Sequence, residues 1–243
     1  MDPQTPPDRP PERIYWWARQ HALILLIGVT AAWLEHSGLL LAAMAGASFL
    51  AVFRIPSTGG PDTPPARWEK TLLFVRILMA LGLIVEPQTD TRIILELLTV
   101  LTVFQLTDAW LARQRKLQNA QQALIEQETD GLWLISLTFL LVPLTPLGNG
   151  IIWLALLRPL GVMTSHWTGA PSCPMPWGFA ARWVSGLSLL ALSATLLPDL
   201  PKAVSEGLLA AGGLGWIALH ATWALRALKK SKSPSGSLSE SGD

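Results

Sequence analysis

Long apolar blocks alternate along the chain with short polar connections. The eight blocks lie at 21–34, 38–53, 71–85, 93–111, 131–143, 150–163, 180–197 and 207–225. A helix that crosses a bilayer needs roughly 17 to 25 residues, so the shortest blocks must extend into their flanks or pair as hairpins. The pattern predicts an all-α integral membrane protein with about eight transmembrane helices.

Proline-rich and polar segments divide these blocks into units. Residues 1–20 read as a disordered and then interfacial segment, and 21–54 as a transmembrane hairpin that turns at EHSG. A Pro/Gly-rich linker at 55–67 precedes a six-helix membrane domain at 68–230. The low-complexity tail, 231–243, is predicted to be disordered.

Composition narrows the class of protein further. Hydrophobic residues make up 50% of the 243 residues, charged residues 14%, and the formal net charge is +1. Together with a mean hydropathy of +0.38, this excludes an ordinary soluble domain and provides no basic excess for nucleic acid. His166 and the single cysteine, Cys173, share one loop, but two ligands fall short of a zinc site.

The distribution of lysine and arginine predicts an orientation in the membrane. With eight spans and a cytoplasmic N-terminus, only Arg92 and Lys202 among the loop cations would lie outside. The positive-inside rule therefore favours a multi-pass protein of the cell (plasma or inner) membrane with both termini in the cytoplasm.

A polar stretch, QLTDAWLARQRKLQNAQQALIEQETDG at 105–131, interrupts the apolar pattern. Gln105, Asp108 and Ala112 share one helix face, and Glu126 and Asp130 share another at i, i+4. Three carboxylates brought together repel one another unless a cation lies between them, and oxygen ligands suit Mg²⁺ or Mn²⁺. The alternative is a solvated cytoplasmic connector whose carboxylates face water.

The same stretch resembles the signature D-x2-D-G-x2-A-R-x8-G-x3-D-x3-D of the CDP-alcohol phosphatidyltransferases, in a frame without gaps. Four positions match, namely Asp108, Ala112, Arg113 and Asp130. Four positions differ, namely Gln105 and Glu126 in place of aspartates, and Ala109 and Gln122 in place of glycines. The resemblance is therefore to a degenerate form of the motif.

Other segments are similar to the core helices of this family. LLFVRILMALGLIV, with Arg76, resembles the opening helix, WLALLRPLGV, with Arg158, the fourth, and WIALHATWALRAL the last. The resemblance thus covers about 68–230 and implies a six-helix core, with the hairpin at 21–54 as an addition. It also implies a homodimer.

The resemblance implies a reaction of phospholipid biosynthesis. A substituted phosphate would pass from a CDP-linked lipid, such as CDP-diacylglycerol, to a small alcohol, with release of CMP. Asp130 would be the catalytic residue that takes the proton from the attacking hydroxyl. Metal ligands would be Asp108, Glu126 and Asp130, with Gln105 a weak one, and the nucleotide end of the donor would lie at Ala109, Ala112 and Arg113.

Three arginines within apolar blocks suggest where a phosphorylated acceptor would bind. Arg76, Arg158 and Arg182 form a basic pocket if they converge with Arg113. The alternative is that each marks a helix end and reaches towards lipid phosphate.

The departures from the motif leave other functions open. Gln105 lowers the negative charge of the metal site by one, and Ala109 and Gln122 fill space that glycine would leave. A catalytically inactive relative that binds lipid, nucleotide or a partner protein is therefore the alternative to an enzyme. An unrelated helical membrane protein, such as a transporter, is a third.

Overall fold

The computed structural model of the protein describes most of the chain between Glu12 and Lys232. The described residues are 12–35, 37–55, 64–85, several separate positions between 90 and 107, 120–143, 145–167, 179–197 and 200–232. Among them, side chains are described except at 64–70, 120, 122–123, 179–180, 182 and 226–232.

Helices account for all the regular structure of the described residues. They are α1 (Glu12–Glu35), α2 (Leu39–Phe53), α3 (Pro64–Val85), α4 (Ala120–Leu141), α5 (Ile152–Trp167), α6 (Phe179–Ala194) and α7 (Lys202–Lys232). A single 3-10 turn, Gly148–Ile151, leads into α5. The prediction of an all-α fold is confirmed for this part of the chain, where no strand occurs.

Helices α1 and α2 form a hairpin that turns between Glu35 and Leu39. Helix α1 begins at Glu12, so 12–20, read from the sequence as partly interfacial, continues the helix and buries Trp17. Glu12 lies in the first turn, where a carboxylate complements the helix dipole. Gly38 in the turn lies against the carbonyl oxygen of Ile84, so closely that any Cβ there would overlap it.

Polar contacts hold the two helices of the hairpin together. Trp17 donates from Nε1 to the carbonyl oxygen of Ser48 at 2.9 Å, and Nδ1 of His21 lies 2.8 Å from the Ser48 hydroxyl. The Trp17 and His21 rings stack with centroids 5.1 Å apart, and Phe49 meets both rings edge-on.

The hairpin packs against the rest of the described bundle. Helix α1 packs along α5, and α2 packs along α3. The buried face of α1 includes Ala18, Ala22, Leu25 and Val29, which recur at helical spacing. Small side chains on that face let neighbouring helices approach closely.

Helix α4 lies at the centre of the described bundle. Between Leu124 and Thr138 every residue except Glu126 is buried, and the helix packs against α1, α3, α5 and α6. A helix covered on all sides must place its polar side chains against other helices and not against solvent. The polar end of α4 therefore fixes where buried polar contacts form.

The helices differ in length and composition, and therefore in whether they could cross a bilayer. Within the described residues one segment, Lys202–Leu225 of α7, is both long and apolar enough. Three shorter apolar segments are Leu39–Phe53, Thr71–Val85 and Trp183–Ala194. The eight-span arrangement stays a prediction.

Candidate functional site

Asp130 of α4 is the centre of a buried polar cluster that joins three helices. Arg76 of α3 donates from Nη2 to Oδ1 of Asp130 at 2.7 Å. The Ser185 hydroxyl of α6 donates to Oδ2 at 2.9 Å. Both carboxylate oxygens of Asp130 are therefore engaged, one by a cation and one by a neutral donor.

Helical spacing explains why Arg76 points into the bundle. Arg76 belongs to the face of α3 that also buries Leu73, Ile77 and Ala80. On α4, the Ser136 hydroxyl donates to the carbonyl oxygen of Ala80 at 2.9 Å, which ties α4 to α3 about 1.7 turns beyond Asp130. This contact holds α3 and α4 in register beside the Arg76–Asp130 pair.

A second ion pair lies two residues away along α4. Arg158 of α5 donates from Nη2 to Oε1 of Glu128 at 2.5 Å, and neither side chain is exposed. The other carboxylate oxygen of Glu128, Oε2, has no hydrogen-bond partner among the described residues. Arg158 is thus the counter-charge that holds Glu128.

A tryptophan ring packs against the Arg158 guanidinium. Its Cζ lies 5.4 Å from the centroid of a Trp223 ring on α7, a cation–π arrangement. The second pair therefore joins α4 and α5 and lies against α7.

Both pairs are electrically neutral units inside the bundle. Arg76 and Asp130 are 3% and 7% exposed, and Arg158 and Glu128 are fully buried. An isolated charge in such surroundings is expensive, whereas a hydrogen-bonded pair is tolerated. Removing one member of either pair leaves its partner as an uncompensated buried charge.

The structure describes only some of the residues that the sequence assigned to the site. Asp130 is buried as above, and Glu126, one turn earlier on the same face of α4, is half-buried and makes interactions of its own. Five assigned residues lie outside the described part of the chain, namely Gln105, Asp108, Ala109, Ala112 and Arg113. Their predicted roles in metal and nucleotide binding stay predictions.

Two of the three arginines assigned to an acceptor phosphate contact different carboxylates. Arg76 contacts Asp130, whereas Arg158 contacts Glu128, which lies about 160° around α4 from Asp130. Arg182 lies on α6, and its side chain is outside the described residues. A phosphate that bound Arg76 or Arg158 would have to share the arginine with a carboxylate.

The described residues alone do not fit a divalent cation. They include no group of three His, Cys, Asp or Glu side chains close enough to hold one. Asp130 directs one oxygen at a guanidinium and the other at a hydroxyl, so in this arrangement it offers a cation no unengaged oxygen. The predicted Mg²⁺ or Mn²⁺ site would need Asp108 and Gln105, which are not described.

Sequence reasoning missed two partners, Glu128 and Ser185. Glu128 lies within the polar stretch at 105–131 but was not assigned to the site, because the phosphatidyltransferase motif has no acidic residue at that position. The signal that could have found it is a carboxylate at the start of an apolar block, together with Arg158, a cation alone in another such block. Ser185 carried no comparable signal, since serines are frequent on α6.

No protein-family model, no curated protein and no solved structure matches the chain.

Proposed function

We propose that the chain is an integral membrane protein of the cell membrane, with both termini in the cytoplasm. The distribution of side chains supports this proposal, because four charged side chains lie inside the bundle while many large apolar side chains lie on its surface. Trp153, Trp167 and Leu214 are 66%, 75% and 64% exposed, whereas Arg76, Glu128, Asp130 and Arg158 are buried. In water such extensive exposed apolar surface is unusual, whereas a lipid environment favours it.

The long helix α7 is compatible with this placement. Its apolar segment Lys202–Leu225 has 24 residues, or about 36 Å at a rise of about 1.5 Å per residue. A hydrocarbon core of about 30 Å is spanned by such a helix with some tilt. Leu214 would then lie near the middle of the bilayer.

The activity proposed for the protein is that of a CDP-alcohol phosphatidyltransferase-like enzyme of phospholipid biosynthesis. It would transfer a substituted phosphate from a CDP-linked lipid to a small alcohol. The observation that carries the proposal is the contact between Asp130, the last acidic position of the motif-like stretch, and Arg76 of the helix that resembles the family's first. These residues are 54 positions apart in sequence and 2.7 Å apart in space.

The residues of this cluster have chemically distinct roles in the proposed reaction. The acceptor oxygen attacks the phosphorus that bears the lipid, the bond from that phosphorus to CMP breaks, and the acceptor proton passes to a carboxylate oxygen of Asp130. Ser185 orients that carboxylate through its hydrogen bond. Arg76 supplies positive charge near the phosphoryl oxygens.

The metal ion belongs to the proposal as well. A divalent cation would neutralise charge on the diphosphate when bound, and the residues that would hold it are Asp108, Glu126 and Asp130, with Gln105 as a weaker ligand. A cation ligated by Asp130 would lie near the positive charge of Arg76, which donates to Oδ1 of the same carboxylate, and the two positive charges would repel each other. A homodimer, implied by the resemblance, is proposed with it.

The activity is tested with purified protein in detergent micelles that contain CDP-diacylglycerol. CMP release is measured with Mg²⁺ or Mn²⁺ and a panel of acceptors that includes glycerol 3-phosphate and neutral alcohols. We expect metal-dependent release that Asp130→Asn abolishes. The control is Asp90→Asn, because Asp90 is exposed and, among the described residues, accepts a hydrogen bond from the Arg92 backbone alone. Folded protein without release under every condition contradicts the activity.

A second candidate function is favoured by one observation. Both oxygens of Asp130 are engaged, which suits a non-catalytic relative that binds a lipid or nucleotide without transferring it. This candidate predicts saturable binding of CDP-diacylglycerol without CMP release. Gln105→Asp separates the two functions, since a gain of metal-dependent release would show a site disabled only at that position.

A further inference from the structure

The two ion pairs hold opposite faces of the central helix. Glu128 and Asp130 are two residues apart, and at about 100° per residue their side chains leave α4 in directions about 160° apart. Asp130 reaches Arg76 on α3 and Ser185 on α6. Glu128 reaches Arg158 on α5.

This opposition restrains rotation of α4 about its own axis. A rotation that moved Asp130 away from Arg76 would also draw Glu128 away from Arg158. Since all four side chains are buried, either movement would leave charges in surroundings that cannot solvate them. The orientation of α4 is therefore set by both pairs together.

The Glu128–Arg158 pair is itself held firmly. The guanidinium lies over Trp223, and Gly161, one turn after Arg158 on α5, lies so close to the same ring that an added Cβ would be 2.5 Å from it. Gly131, the neighbour of Asp130, lies beside the aliphatic part of Arg158, with 3.5 Å between an added Cβ and its Cγ. Packing around Arg158 thus leaves the pair little freedom.

From this arrangement we infer that Glu128 and Arg158 are positioning residues for Asp130. They set the rotation of α4 that presents the Asp130 carboxylate to Arg76 and Ser185, although neither touches that carboxylate. The inference deepens the proposed function and rests on it for its catalytic consequence. Its structural consequence, energetic coupling between the two faces of α4, holds whether or not the protein is an enzyme.

The structural test is a double-mutant cycle between the two faces. Thermal unfolding midpoints are measured in detergent for Glu128→Gln, Asp130→Asn and the double variant. Independent sites without shared partners give additive effects. If the sites were independent, the two single-variant shifts in midpoint would sum. We expect the double variant to unfold roughly 2 °C or more above the midpoint given by that sum, because loss of the first pair already lets α4 rotate and so weakens the second pair. Additive midpoints overturn the inference.

Two substitutions keep this test decisive if a variant fails to fold. Ser185→Ala replaces Asp130→Asn, since it weakens the same face by one hydrogen bond. Arg158→Lys replaces Glu128→Gln and retains the charge. Glu206→Gln is the matched control, because Glu206 pairs with Lys202 on the surface of α7 at 3.8 Å, and its effect should add to that of Asp130→Asn.

The catalytic test separates positioning from a general loss of stability. At a temperature where all variants are folded, Glu128→Gln should lower kcat for CMP release at least about tenfold while the KM for CDP-diacylglycerol stays within about twofold. The double variant Glu128→Gln/Arg158→Gln, which restores a neutral hydrogen-bonded pair, should recover part of that kcat. An unchanged kcat in Glu128→Gln contradicts the inference. A wild-type protein without CMP release contradicts the proposed function, and the midpoints then decide the inference.

Discussion

Nη2 of Arg76 lies 2.7 Å from Oδ1 of Asp130. This contact brings together a cation and a carboxylate that the sequence assigned to different tasks, acceptor binding for Arg76 and proton transfer for Asp130. In the proposed reaction both tasks would be performed within one cluster, where the charge of Arg76 restrains Asp130 until a ligand competes for the arginine. The cluster thus links the fold of α3, α4 and α6 to the proposed chemistry.

Ser185→Ala should destabilise the protein by about 1.5 to 3 kcal/mol, the range for a hydrogen bond to a charged group. The reason is that Asp130 Oδ2 loses its donor at 2.9 Å. Thermal unfolding midpoints in detergent measure the effect. The matched control on the same helix is Ser193→Ala, because the Ser193 hydroxyl donates to the carbonyl oxygen of Leu189 one turn away and to no charged group of the described residues. Equal midpoints for the two variants would contradict the role assigned to Ser185.

Trp17→Phe should destabilise the hairpin, whereas Trp16→Phe should have little effect. Trp17 is 4% exposed and donates from its indole to the carbonyl oxygen of Ser48, whereas Trp16 is 65% exposed. Loss of the hydrogen bond alone should cost about 1 kcal/mol. Limited proteolysis and the unfolding midpoint compare the two variants, and a larger effect at Trp16 would contradict the packing of α1 against α2.

Gly161→Ala should destabilise the protein by about 1 to 3 kcal/mol, as overpacking of a core does. An added Cβ would lie 2.5 Å from the buried ring of Trp223 and push it away from Arg158. Gly207→Ala on α7 is the control, since a Cβ there meets no described atom within 4 Å. It should be neutral or stabilising by up to about 1 kcal/mol through helix propensity. The reverse order of midpoints would contradict this packing.

Leu214→Arg tests whether the surface of α7 faces lipid. Leu214 is 64% exposed near the middle of the apolar segment, where an arginine in a bilayer costs about 2.5 to 3.5 kcal/mol. Val204→Arg, near the end of the same segment, should be better tolerated. Yield and monodispersity on size-exclusion chromatography measure the difference. Equal yield and monodispersity of the two variants, together with recovery of the protein without detergent, would contradict the membrane proposal.

The helical architecture could be predicted because it depends on local patterns. Apolar blocks longer than strands predicted helices, and EHSG predicted the turn between α1 and α2. The start of α1 at Glu12 was harder to predict from the sequence, because Trp17 is buried through its contact with α2, and no local pattern reveals such a contact. The same holds for the packing of the hairpin against the rest of the bundle.

The site was predictable only where spacing on one helix decided it. Glu126 and Asp130 share a face of α4 as their i, i+4 spacing implies. The pairing of Asp130 with Arg76, and of Glu128 with Arg158, depends on which helices are neighbours and how each is rotated. Both pairs join residues at least 30 positions apart in the sequence, so the sequence alone could not show that Arg76 and Arg158 contact different carboxylates.

Metal-dependent release of CMP from CDP-diacylglycerol, measured for the wild type, Asp130→Asn and Asp90→Asn side by side, tests the proposed function most directly. The proposal predicts release by the wild type and Asp90→Asn, and none by Asp130→Asn beyond the rate without protein. Release by Asp130→Asn at the wild-type rate, or no release by folded wild-type protein with any acceptor, would contradict it.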